Sequence, residues 1–318
     1  MIKTIKQIII VALIFVLGIG TTACKDKTIQ IELPQNISLT QEDNEPMLKV
    51  YDVTTKNIVE MELEEYVKGV LAGEMFNDWP IEALKAQAIL ARTYTLYFLQ
   101  NFTSKYDGAD ISNDVTEAQA YDAEKINENI EHAVNETQGK VVMFDGNLIE
   151  AWFHSNSGGM TTTAKNGLNY LGEEKYTKAT KSPEKVDNSE NFSWNVTLTK
   201  SDVLSALRSM GVGVSTISNL EIAQKDETGR ALTLKIGETE FSASTFRLKI
   251  GSTKMKSTMI ENIVVSTSSI SISGKGYGHG VGLSQWGAKL MAEDGKNAEE
   301  IILHYFNNVK ICNAKYNN

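Results

Sequence analysis

Glu74 stands where an apolar stripe should continue. Leu63, Tyr66, Val67, Val70 and Leu71 recur at helical spacing, and the next place on that face is Glu74. A lone carboxylate there is costly if ionised and unpaired, and the negative end of the helix macrodipole disfavours its anion further. Both effects favour a carboxyl group that holds its proton and could act as an acid. The competing reading pairs Glu74 with a basic side chain such as Arg92, or lets it project into solvent at a frayed helix end. Gln87 and Arg92, polar residues in an otherwise apolar stretch, must also find partners, and Tyr94 follows them. Two further stretches carry polar chemistry. His154, Ser155, Asn156 and Ser157 close a strand-like run just before Gly158 and Gly159. Glycines at 274, 276, 278, 280 and 282 alternate with Lys275, Tyr277, His279 and Val281, ahead of Gln285 and Trp286. If that run is extended, the bare glycine face permits close backbone approach. It is neither a dinucleotide fingerprint, which requires a glycine at Leu283, nor a Walker loop.

The elements that would position these groups are legible in outline. The Glu74 stripe predicts a helix from about Glu62. A second helix should begin at Pro80 and run to about Gln100, apolar nearly all round, with Ala83, Ala86, Ala88 and Ala91 allowing close neighbours. A third is expected from Asp122 to about Thr137, ending at Gly139. Residues 141–144 and 148–153 read as a hairpin about Asp145-Gly146-Asn147. Residues 194–250 read as a strand, a helix capped by Ser201, a hairpin about Asp226 to Gly229 and a short helix near Ser244. A helix from about Ser284 and a last one with an Asn297/Glu300 capping box close the chain.

The 318 residues suffice for about two domains, and 42% apolar content can build a sizeable core. With 31 Lys plus Arg against 40 Asp plus Glu, the net charge of −9 argues against nucleic acid as a partner. Two cysteines exclude a disulfide framework or zinc ribbon. Lys3 and Lys6 precede an uncharged run from Gln7 to Cys24, which reads as a signal-anchor with the globular region outside the cytoplasm, or as a lipoprotein leader modified at Cys24. The expected architecture is α+β with two lobes and a substrate groove, preceded by an N-terminal membrane anchor. Residues 1–24 form the anchor and 25–46 a tether. Residues 47–175 and 251–318 make the catalytic lobe, with 176–250 as a second lobe or insertion.

Three separated stretches carry a resemblance. They are Val70-Leu71-Ala72-Gly73-Glu74-Met75 with Ala86-Gln87-Ala88 and Ala91-Arg92-Thr93-Tyr94, then Phe153 to Gly159, then Gly276 to Ala288. In this order they resemble the stage II sporulation protein D family, whose domain also occurs in amidase enhancers. The resemblance implies a membrane-anchored lytic transglycosylase that cleaves peptide-free peptidoglycan strands during sporulation engulfment and leaves 1,6-anhydro ends. It implies that Glu74 is the catalytic acid and base, and that a sporulation amidase and other engulfment membrane proteins are partners. Gln87, Arg92, Tyr94, His154, Ser155, Asn156, Tyr277, His279 and Gln285 become candidates for substrate binding, with Trp152 or Trp286 as stacking surfaces. Some relatives hold zinc with a Cys and His pair after the second helix, but residues 110–121 contain neither. No metal or cofactor is therefore expected. The alternatives are a noncatalytic glycan-binding or amidase-enhancing module and, third, a zinc amidase.

Overall fold

A computed structural model describes residues 27–184 and 192–317. The first helix, α1 (Leu63–Glu74), buries the predicted stripe against α2 (Ile81–Asn101), which starts directly after Pro80. Helix α2 is the centre of the larger core. Its alanines are buried, and it packs on α1, on α3 (Glu128–Asn135) and on the strand Lys140–Phe144. The third helix is shorter than its sequence suggests. Asp122 caps only a 3₁₀ turn over Ala123–Lys125, and Asn127 then caps α3 through the Ile130 N–H, so two capping residues five apart split one expected helix.

Two sheets flank these helices. One orders Lys27–Glu32 beside Lys310–Asn317 in parallel, then Lys140–Phe144 antiparallel, then Asn147–Leu148. The other pairs Pro46–Asp52 with Ser38–Leu39, Asn57–Glu62 and Ile111–Ser112. Residues 27–46, expected as a tether, are thus part of the fold, with Ile31, Leu33 and Ile37 in the larger core. Only a few aliphatics are needed because the segment meets the core along one face. The expected hairpin strand also stops early. Asn147–Leu148 pairs with Lys140–Phe144, and after Trp152 the chain leaves for a different partner.

A short helix, α4 (Ala164–Leu168), precedes the smaller core. That core is built from α5 (Lys200–Ser209), α6 (Ala243–Ile250), a sheet of Glu221–Lys225, Ala231–Ile236 and Thr239–Ser242, and a sheet in which Ser269–Lys275 lies between Ile260–Val265 and Ser193–Thr199. Thr199, rather than Ser201, caps α5. Because Met255, Ile260, Ile270 and Ile272 belong to this core, it extends past the expected boundary at residue 250. Helices α7 (Gln285–Glu293) and α8 (Ala298–Tyr305) return to the larger core, the latter with its Asn297/Glu300 capping box.

The expected anchor over residues 1–24 lies outside the described residues. Among the described residues no helix is long and apolar enough to cross a membrane. The fold the structure supports is α+β, and no described helix supplies the membrane anchor on which the expected single-pass placement outside the cytoplasm rests.

Candidate active site

Glu74 is the last residue of α1 and is held from two sides. The Ala120 N–H donates to Oε1 at 2.7 Å and Gln285 Nε2 donates to Oε2 at 3.3 Å. The loop carrying Ala120 reaches the helix because Gly73 lacks a side chain: a Cβ there would stand 2.6 Å from the Tyr121 nitrogen. Burial raises the proton affinity of Glu74 above the ordinary carboxylate range, and the two donors oppose that rise without cancelling it.

Gln285 arrives from the far end of the sequence. The strand Leu283–Ser284 runs parallel to Phe153–His154, and the Trp286 N–H continues the pairing by donating to the Ser155 carbonyl at 3.0 Å. The second and third motif stretches therefore lie side by side and end next to Glu74. Around that end stand three aromatic rings. Trp286 lies 4.9 Å from Trp79 and 6.4 Å from Phe76 between centroids, and Phe76 is 62% exposed although two residues from Glu74.

The glycine-rich run forms the layer behind. Tyr277 and Asn156 exchange backbone hydrogen bonds at 2.7 and 2.9 Å, and the Asn156 side chain accepts from the Gly158 N–H. The run is not a simple extended strand, because Gly276, Gly278, Gly280 and Gly282 all have positive φ. Close approach is nonetheless the reason for small residues: a Cβ on Gly278 would lie 2.6 Å from the His154 Cβ. His154 and His279 consequently face each other with ring centroids 5.5 Å apart. His154 Nδ1 meets the Val281 carbonyl, and His279 Nδ1 accepts from the Val281 N–H. Burial, with Arg247 and Arg230 nearby, pulls His279 down to about 3 and holds His154 well below its usual range, so both rings are neutral. Tyr277 is capped by the Lys256 ammonium, 5.4 Å from its ring centre.

Among the described residues, Arg92, Gln87 and Tyr94 make no hydrogen bond to Glu74, whose partners are Ala120 and Gln285. Arg92 is fully buried and forms a two-point pair with Glu64, Nε to Oε1 at 2.7 Å and Nη2 to Oε2 at 2.5 Å, with Nη1 on the Lys140 carbonyl. Glu64 lies near the start of α1, about 15 Å along the helix from Glu74. Arg92 is thus not the partner of Glu74, and its position is structural. Arg92→Met is expected to lower unfolding stability by about 3–5 kcal/mol, because it leaves Glu64 buried without its cation. Denaturant unfolding checks this, and a loss below about 1 kcal/mol would contradict it. Gln87 is buried within α2, its amide without a hydrogen-bond partner among the described residues. Tyr94 is half-buried, its phenol pushed up to about 12 by burial and by the charges of Glu150 and Glu117. Trp152 packs on Tyr170 and Tyr176 in the core, so of the two expected stacking tryptophans only Trp286 lies in the aromatic cluster near Glu74, against Trp79.

Several residues of the site gave no sequence signal. Phe76 lies in a short polar connection, and Ala120 contributes only its backbone. Glu184, in a charged run between the lobes, accepts hydrogen bonds from Ser157 and Ser284. Arg230 follows a hairpin turn and donates to the carbonyls of Ser157 and Met160, tying the smaller core to the second motif stretch.

The sequence also matches known proteins. Residues 51–144 match the family model described as Stage II sporulation protein, and residues 150–282 match a domain of unknown function (DUF8618). An uncharacterized protein of Brachyspira hyodysenteriae is 34% identical over 266 residues, covering 82% of this chain and 69% of its own length. The stage II sporulation protein D of Bacillus amyloliquefaciens is 31% identical over 290 residues, covering 85% and 82%. The amidase enhancer of Bacillus subtilis is 32% identical over 286 residues, of which this chain spans 39% of the relative's length. The chain belongs to the stage II sporulation protein D and amidase-enhancer family.

Proposed function

We propose that the chain is a lytic transglycosylase acting on peptidoglycan strands from which stem peptides have been removed, with Glu74 as its single acid and base. The observation that carries this reading is a carboxyl group whose proton affinity is raised by burial, held at both oxygens beside an exposed aromatic surface. The neutral acid donates its proton to the glycosidic oxygen as the C1–O bond breaks. The resulting carboxylate, stabilised by the Ala120 N–H and the Gln285 amide, takes the proton of the C6 hydroxyl as that oxygen closes on C1. No water is consumed and Glu74 is restored, so a second carboxylate is not required, in contrast to two-carboxylate glycosidases. Because the substrate is peptide-free, an amidase must act before this chain, which makes a sporulation amidase the natural partner.

In this reading the exposed Phe76 ring and the half-buried Trp286 ring, backed by the buried Trp79, offer a stacking face for a sugar ring. Phe76→Ala should weaken binding of peptide-free strands about tenfold in a cleavage-dead background. It should leave the thermal midpoint nearly unchanged, since the ring is exposed. Unchanged affinity in a calorimetric titration would remove Phe76 from the sugar contacts. A second reading draws on the amidase-enhancer relative: the same surface would hold a strand for a partner hydrolase without cutting it. Mass spectrometry of peptide-free strands incubated with the full chain separates the two. Anhydro-muramyl ends support the transglycosylase, and intact strands that remain bound support the enhancer.

A further inference from the structure

Glu184 lies outside all three motif stretches and is only 7% exposed. Its Oε1 accepts from the Ser157 N–H at 3.0 Å and from the Ser284 hydroxyl, and its Oε2 accepts from the Ser157 hydroxyl at 3.1 Å. One buried carboxylate thus joins the chain just after Phe153–His154 to the strand that runs beside it. Its negative charge makes each of these bonds stronger than one between neutral groups. Arg230 grips the same loop through the carbonyls of Ser157 and Met160.

The consequence lies in the direction of the Ser284 proton. With that O–H donating to Glu184, the lone pairs of the same oxygen face the N–H groups of Ser157 at 3.3 Å and Gly287 at 3.4 Å. The second of these contacts is the N-cap of α7, and the first residue of α7 is Gln285, whose amide donates to Glu74. We propose that Glu184 is a positioning residue that orients Ser284, and through it the first turn of α7 and the Gln285 amide, against Glu74. The assignment rests on the reading of Glu74 as the acid. It adds a residue that touches neither the substrate nor Glu74, supplied by the segment between the two cores.

The test is a double-mutant cycle in the full chain. Glu184→Ala and Gln285→Ala should each lower kcat for strand cleavage about tenfold with KM little changed, and the double variant should be no worse than the poorer single. Glu184→Gln retains one acceptor oxygen and places an amide donor against the Ser157 hydroxyl, so it should recover most of the rate. If the two alanine losses multiply, Glu184 does not act through Gln285 and the proposal falls. If Glu184→Ala does not fold, Ser284→Ala cuts the same link while Ser157 still holds Glu184, and the same cycle applies. A second readout needs no activity. In carboxyl-labelled NMR titrations, with the Glu74 signal identified by its loss in Glu74→Gln, removal of the Gln285 donor should raise the Glu74 midpoint. Glu184→Ala should move it in the same direction. A midpoint moved by Gln285→Ala but untouched by Glu184→Ala overturns the proposal. Cleavage that survives Glu74→Gln would instead sink the functional reading and leave the titration cycle to judge the positioning role.

Discussion

Glu74→Gln should lower strand cleavage at least about a thousandfold while leaving the fold and the binding of strands intact. An amide has nearly the carboxyl's shape and keeps an oxygen for the Ala120 N–H, so the loop over Gly73 has no cause to move. What the amide lacks is a transferable proton, and in a mechanism with one acid and base that loss stops both halves of the reaction. The pH dependence has a defined sign. Burial places the Glu74 midpoint above that of an ordinary glutamate, and the first step needs the neutral acid, so the rate should fall as pH rises through the raised midpoint. The products discriminate between mechanisms. Anhydro-muramyl ends from the unmutated chain and none from Glu74→Gln would match the proposed chemistry. Undiminished cleavage by the variant would rule out a single acid at this position. Reducing ends would make water the nucleophile and require a second carboxylate.

How much of this was legible depends on how far each signal reaches along the chain. Glu74 could be read because its own helix supplies the contrast: five apolar residues at helical spacing make the sixth position conspicuous. The capping box at Asn297 and Glu300 was equally local. The partner of Arg92 was not legible, since Glu64 and Glu74 are both acids of α1 and only the packing of α1 on α2 selects between them. The pairing of Phe153–His154 with Leu283–Ser284 joins residues 130 positions apart through a two-residue ladder too short to leave an alternating pattern. Glu184 had no pattern at all, because a buried carboxylate in a charged run looks like a solvated one until Ser157 and Ser284 close over it. The glycine alternation did announce close packing. Its physical cause, positive φ at successive alternate residues against the His154 strand, required the strand itself.

A chain beginning at Met47 should be far less stable than one beginning at Lys27, although residues 27–46 look like a linker by composition. The strand Lys27–Glu32 pairs in parallel with Lys310–Asn317 over six residues, and the Leu33 N–H extends the ladder to the Asn317 carbonyl at 2.9 Å. Ile31, Leu33 and Ile37 are buried in the larger core. At roughly 1.5–3 kcal/mol each, their removal alone costs on the order of 5–9 kcal/mol as an upper estimate, comparable with the whole stability of a typical domain. Further losses follow from the same cut. Glu45 accepts the Glu64 N–H at 2.6 Å and so supports the start of α1, where Glu64 holds Arg92. The Gln100 amide loses the Glu32 carbonyl, and the strand Lys310–Asn317 is left with an open edge. Thermal unfolding followed by circular dichroism should show the chain from Met47 melting at least about 10 °C below the chain from Lys27, or not folding at all. Equal midpoints would mean that the first strand adds nothing to the core it lies against. Because the cut acts at the start of α1 and Glu74 sits at its end, cleavage activity should disappear together with the fold rather than ahead of it.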